Sequence, residues 1–330
     1  MPLEALRYDP TPAGLHYVLV HFDIPHTEPE SWRLEIGGLV ARPASLSLGE
    51  LRRMPTKSVR VTLECAGNGR GQVSPRYPSV PWLEEGVSTA DWTGVPLAAV
   101  LRAAGLKDSA REIVFRGADR GIDRGIEHDF ARSLAPEEAM REDVLLAWGM
   151  NGHALPPQHG APLRLVVPGW YGMASVKWLA RIEAIDHAFD GVQQALSYRF
   201  RAAAGEAGVP CTRMRVNSLM VPPGIPDFYT RHRVVARGRI EIFGRAWSGT
   251  APVRRVELGV DGAWSEADLE PSTQAHAWQA WHARWTAERG AHELACRATD
   301  GAGNVQPPEP VWDATGFGNN SVQRIAVSVQ

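Results

Sequence analysis

Between Val256 and Val329 apolar residues recur at every second position in short runs that stop at turn pairs, a pattern that paired strands bury and helices do not. Val256, Leu258 and Val260 alternate with Arg255 and Glu257 into Asp261-Gly262, a dipeptide suited to a two-residue hairpin. Leu294, Cys296 and Ala298 do the same before Asp300-Gly301, and Ile325, Val327 and Val329 end the chain. Regular strands separated by turn signals predict a β-sandwich. Trp278, Trp281 and Trp285 have a spacing that also suits a helix face, but the strand reading is kept and core packing is their expected role.

The first half has another grammar. Trp32, Leu34 and Ile36 alternate with charged residues before Gly37-Gly38, as in a strand ending at a turn. Ser47 and Glu50 have the spacing of a capping box, opening a short helix that Pro55 stops. Leu97, Val100, Leu101 and Ala104 fall at helical spacing, with Gly105 as a C-terminal cap. Val144–Trp148 and Asn151-Gly152 read as a hairpin. This half is α+β. Arg199–Pro226, rich in Ala, Gly and Pro, reads as the crossover between the halves.

A chain of 330 residues, 44% hydrophobic and 22% charged, suffices for about two domains. Its formal net charge of -2, with arginines spread throughout, argues against nucleic acid as a partner. Three scattered cysteines give neither a disulfide scaffold nor a Cys-x-x-Cys zinc pair, so a reducing compartment is expected. Met1–Tyr17 carries no secretory pattern or twin arginine, and Tyr17–Phe22 is too short to span a bilayer. The chain as given reads as cytoplasmic; removal of a leader would make it periplasmic.

Chemistry concentrates at two places. Val59, Val61, Leu63 and Cys65 share one face of a strand that delivers a lone thiol to the turn Ala66-Gly67-Asn68-Gly69, with Arg70 just beyond. Gly67 and Gly69 admit unusual backbone conformations, and Arg70 is expected to lower the thiol pKa. A buried, inert cysteine is the bland alternative. Further on, His159, Arg164, Ser175 and Lys177 interrupt apolar sequence, and a buried arginine and lysine need an anion such as phosphate. The bland alternative is that both cations form rim salt bridges. No phosphate-loop or dinucleotide fingerprint is present. Asp119 follows a strand-like run, where most aspartates cap turns, and Tyr198 reads as an ordinary interface aromatic.

Together these segments resemble the sulfite oxidase family of molybdenum-cofactor enzymes from about His16 to Val329. The specific parts are Leu63–Asn68 with Arg70, Gly86–Leu97, Met150-Asn151-Gly152, His159-Gly160, Arg164, Val166–Gly169 and Ser175–Leu179. In the second half they are Gly244–Gly249, Val260-Asp261-Gly262 and Arg297–Asp300. The resemblance implies an α+β molybdopterin-binding domain over 1–200 and an all-β immunoglobulin-like dimerisation domain over 201–330. It makes Cys65 the thiolate ligand of molybdenum held by one molybdopterin. His21, Asp119, His159, Arg164, Ser175, Val176 and Lys177 match positions that hold the pterin and its phosphate, partly through backbone groups. Tyr198 matches the active-site tyrosine, and Arg70 an arginine of the substrate pocket.

The implied reaction is oxygen-atom transfer, sulfite to sulfate, in a homodimer with no haem in this chain, electrons leaving to a separate cytochrome or to oxygen. One position departs: family sulfite oxidisers carry Arg-Asn-His where this chain has Leu19-Val20-His21. The loss of such a charge-assisted contact costs about 1.5–3 kcal/mol, and Arg76 or Arg213 could fill the place. Reduction of a sulfoxide or similar oxo compound is the alternative within the family. A thiol hydrolase using Cys65 and His159 is the alternative outside it.

Overall fold

Alternation in the first half builds two sheets. The computed structural model describes residues 1–272 and 274–330. Its first half contains β1 (Arg33–Gly38), β2 (Ala44–Ser47), β3 (Lys57–Glu64), β4 (Val87–Pro96), β5 (Glu112–Asp123), β6 (Ile126–Leu134), β7 (Leu145–Met150), β8 (His153–Ala154), β9 (Arg164–Val166) and β10 (Leu179–Ile185). One sheet runs β2-β1-β10-β5-β6, with β1 and β10 parallel. The other runs β3-β4-β7-β8, with β9 beside β7. The Ser47–Glu50 capping box forms as predicted and opens α1 (Leu48–Arg52). The apolar stripe becomes α2 (Leu97–Ala104), closed by Gly105 at φ +71°, and its buried face joins the first core. Asn151 and Gly152, both at positive φ, turn β7 into β8.

The second half is a two-sheet sandwich. Four strands, 217–220, 238–247, 279–287 and 268–269, face six: 225–226, 233–235, 323–329, 290–300, 253–260 and 263–266. Trp281 and Trp285 lie on the buried face of the strand Gln279–Ala287, so the period is two and not 3.6. Asp261-Gly262 makes the predicted tight hairpin. Asp300-Gly301 does not: the chain leaves on a long loop before the strand at 323, and the Asp300 carboxylate accepts from the backbone N–H groups of Ala302 and Asn304. An aspartate that folds its own loop reads, in sequence, like one in a hairpin. Arg199–Pro226 is likewise no free linker. It holds a small hairpin, 199–200 with 209–210, and the strands 217–220 and 225–226, so its Gly and Pro residues mark turns. Among the described residues no helix is long and apolar enough to cross a membrane.

Strand β3 is where the halves meet. Thr62 N–H donates to the His276 carbonyl at 2.9 Å, and Trp278 N–H donates to Thr62 Oγ1 at 2.7 Å. The next residue on that face, Glu64, is buried and receives Trp247 Nε1–H at 3.0 Å, Asn68 Nδ2–H at 3.1 Å and Asn217 Nδ2–H at 3.2 Å.

Candidate functional site

Both faces of β3 are buried at its end, so Cys65 emerges inside the protein, 6% exposed. The turn after it is fixed at several points. Cys65 N–H donates to the Gly86 carbonyl, Asn68 N–H to the Cys65 carbonyl, and Gly86 N–H to Asn68 Oδ1. Gly69 takes φ +76°, as expected of a left-handed position, while Gly67 is needed for a different reason. A Cβ at Gly67 would stand 2.7 Å from the Arg70 guanidinium, which folds over the turn. The second half closes the far side: Gly318 N–H donates to Ala66 O at 2.7 Å and Asn319 Nδ2–H to Gly69 O at 2.9 Å.

Arg70 does not activate the thiol as the sequence suggested. Burial pushes the Cys65 thiol up, and this outweighs the lowering by Gly67 and Arg70. A free thiol here is unreactive, and only a bound soft cation would hold it deprotonated.

On one side of Cys65 lies a polar cavity lined by His16, Tyr17, His21, Asp119, Gln158, His159, Arg164, Ser175 and Lys177. Arg164 is buried without a carboxylate. Its Nη1 donates to His159 O at 2.9 Å and its Nη2 to Ser175 O at 3.0 Å, and its guanidinium lies 4.6 Å from the Trp92 ring centroid. Lys177 Nζ donates to Leu19 O at 2.8 Å and Gln158 O at 3.2 Å. Neither cation forms a salt bridge among the described residues, so the rim-pair alternative is excluded and the expectation of a missing anion stands. Burial, then the neighbouring Arg164, drops Lys177 to about 7. Burial lowers His159 to about 4 and His21 to about 3, so both rings are neutral at neutral pH. Asp119 is raised to about 6 by burial, and its Oδ1 has no hydrogen-bond partner. Ser175 Oγ accepts from Val167 N–H at 3.1 Å, its own proton remaining free to reach the cavity. Val176 stays outside: its N–H donates to Ala174 O and its carbonyl accepts from Leu165 N–H, so neither backbone group is spare.

On the other side a second cavity, about 390 Å³, is lined by Leu19, Arg70, Tyr77, Val80, Trp82, Arg124, Tyr198 and Phe317 among others. The two cavities share Leu19, His21, Cys65 and Tyr198. Tyr198 hydroxyl and His21 Nε2 are joined by a 2.5 Å hydrogen bond, the tyrosine ring stacks on Phe317 and the histidine ring on Phe130. Arg70 lines this cavity, with Nε on Thr315 O at 3.1 Å and Nη1 on Val80 O at 3.2 Å. Arg76 and Arg213 line neither cavity, and Arg213 pairs with Glu138, so neither takes the place vacated at Leu19.

The hydrolase alternative lacks its geometry. His159 Nε2 is directed at the Ala13 carbonyl, 3.2 Å away, and no hydrogen bond joins it to Cys65 among the described residues. A ring that protonates near 4 is a weak base for a thiol raised by burial. Sequence reasoning also missed residues that the fold brings in. His16 stacks on Tyr17 and leaves its Nε2 without a partner, Trp82 and Phe317 come from segments that carry no local signal of a site, and Glu64 was passed over as a buried anchor. The proximity of Glu64 to Cys65 in sequence was the one cue available.

A buried thiol, two cations without a carboxylate partner among the described residues and an orphaned aspartate oxygen fit a soft metal carried by an anionic, hydrogen-bonding heterocycle. These features and the two-part fold define a molybdopterin-type oxidoreductase. The family described as oxidoreductase molybdopterin binding domain matches residues 21–193, and the Mo-co oxidoreductase dimerisation domain matches residues 210–330. Mitochondrial sulfite oxidase of Mus musculus is 34% identical over 97% of this chain and 61% of its own length. An NADH nitrate reductase of Brassica napus is 32% identical over 97% of this chain and 38% of its own. The solved structure of the sulfane dehydrogenase SoxCD from Paracoccus pantotrophus superposes with a TM-score of 0.85 at 28% identity, covering 100% of this chain and 86% of that one. The chain belongs to the sulfite oxidase family of molybdoenzymes, though it spans less than two thirds of the mouse relative.

Proposed function

We propose that this protein transfers an oxygen atom to a reduced sulfur compound, sulfite being the simplest, using molybdenum held by molybdopterin and ligated by Cys65. The supporting observation is the junction itself: Cys65 and Tyr198 line both the cation-rich cavity and the aromatic one, so a group held in the first can meet a substrate in the second. The cofactor, when bound, supplies two-electron oxygen-atom transfer.

The protein's residues supply everything else. Arg164, Lys177 and the Ser175 hydroxyl would hold the cofactor's phosphate; Asp119, with its free oxygen, would accept a hydrogen bond from it; His21 and His159 line the same cradle as neutral rings. Tyr198 keeps its proton, because burial and the nearby thiol raise its pKa far beyond the usual range, and its hydroxyl sits beside the junction paired with His21 Nε2. Arg70 draws the oxyanion inward. Electrons leave to a separate acceptor, a cytochrome or oxygen, and two chains pair through the region matched as a dimerisation domain. Reduction of a sulfoxide is the second reading, favoured by the aromatic wall around Arg70.

Metal analysis of protein purified from a host that makes molybdopterin tests the proposal, together with sulfite-dependent ferricyanide reduction. About one molybdenum per chain with turnover is expected. Protein that folds in such a host but carries no molybdenum refutes the reading.

A further inference from the structure

The wall of the second cavity has an apolar, aromatic side that a small dianion leaves uncovered. Leu19, Tyr77, Val80, Trp82 and Phe317 form an apolar side of it, facing a polar side with Arg70, Ser79, Gln193 and Thr315, and Ile122, 72% exposed, continues the apolar surface at the rim. Two cations oppose this wall. Arg70 is buried with Nε and Nη1 committed to carbonyls and its guanidinium 4.8 Å from the Phe317 ring centroid, so Nη2 is the nitrogen left for a ligand. Arg124 sits exposed at the rim, in water, with its Nε donating to Ser197 Oγ at 3.4 Å. The interior therefore offers one partly committed guanidinium. A second negative charge there would be buried without a partner, which is strongly unfavourable. The aromatic surface stabilises a ligand only through an apolar group brought against it. A volume of about 390 Å³ lies in the range of clefts that hold organic ligands.

We propose that the preferred substrate of this site is an organic sulfinate, R–SO2⁻, with R an alkyl or aryl group against Trp82 and Phe317 and the sulfinate oxygens on Arg70. This rests on the oxygen-transfer reading above. A sulfinate keeps the sulfur lone pair that sulfite uses, carries one negative charge where sulfite in alkaline water carries two, and has carbon in place of one oxygen. The balance is R–SO2⁻ + H2O → R–SO3⁻ + 2H⁺ + 2e⁻. One S–O bond forms and both O–H bonds of water break. Sulfur is oxidised by two electrons, which leave singly to the separate acceptor, and two protons go to solvent.

The test compares benzenesulfinate with sulfite at pH 8 on the molybdenum-loaded enzyme, with ferricyanide as acceptor. Benzenesulfinate is expected to have a kcat/KM at least about tenfold higher, the least that apolar contact in a matched pocket provides. Leu19→Arg, which places a second cation in the wall, should narrow or invert that ratio. Calorimetric titration gives a readout independent of turnover: benzenesulfonate should bind at least about tenfold more tightly than sulfate. Equal or better use of sulfite, or equal binding of the two products, overturns the sulfinate assignment and leaves oxygen transfer intact. Turnover of neither compound by enzyme holding molybdenum overturns both.

Discussion

Lys177→Met probes the anion site through stability. In the folded protein burial and Arg164 lower Lys177 from its ordinary 10.5 to about 7. A base whose folded pKa is depressed binds fewer protons folded than unfolded between those two values, so its stability penalty is full below about pH 7 and fades as pH rises toward 10.5. At about 1.4 kcal/mol per pH unit, the window is worth at most roughly 5 kcal/mol, and partial solvent contact reduces it to about 3–5 kcal/mol. Methionine removes that penalty but leaves the carbonyls of Leu19 and Gln158 without their donor, at about 1–3 kcal/mol each. Near pH 7 the two effects roughly cancel. Near pH 10 only the loss remains, so the variant should fall behind the wild type by several kcal/mol. Urea unfolding of cofactor-free protein at pH 7, 8.5 and 10 measures the gap, other titrating groups cancelling between the two proteins. A gap that stays constant, or closes as pH rises, refutes the argument. In the wild type a phosphate monoester should restore the ammonium, so its binding at pH 8 should take up protons, visible as a buffer-dependent heat.

Two further substitutions separate chemistry from architecture. Tyr198→Phe removes the hydroxyl at the junction and its bond to His21 while keeping the stack on Phe317; kcat should fall about 10–1000-fold with molybdenum content unchanged, and loss of the metal would contradict the role assigned. Trp247→Phe removes one of three donors to buried Glu64 and should lower unfolding free energy by about 1–3 kcal/mol, measured by urea titration at pH 8; an unchanged midpoint would show that this contact does not hold β3 to the second half.

Much of the fold was legible because its signals are local. The capping box, the stripe of α2 with Gly105, the Asn151-Gly152 turn and the Asp261-Gly262 hairpin each depend on a few consecutive residues. Asp300-Gly301 misled because the same dipeptide serves a longer loop, and the tryptophan spacing was ambiguous until the strand pairing fixed which period applied. In the site, the strand period carried Cys65 inward, and the apolar surroundings of Arg164 and Lys177 placed both cations at one cavity without a carboxylate partner among the described residues. Arg70 lowers the thiol as expected but is outweighed, because desolvation is set by everything packed around Cys65, and no sequence neighbour reports that.

The sequence alone determined where most strands, turns and helices lie and which faces are apolar, since these follow from periodicity, and it set a thiol, an arginine and a lysine in apolar surroundings. Only the tertiary structure decided that Glu64 anchors β3 to Trp247 and Asn217, that Gly318 and Asn319 close the Cys65 turn, and that Trp82, Phe317 and Leu19 wall the second cavity. Those contacts join residues as far apart as Ala66 and Gly318. Their geometry exists only once both halves have packed, because a side chain's environment is a property of the surfaces brought to it and not of its neighbours along the chain.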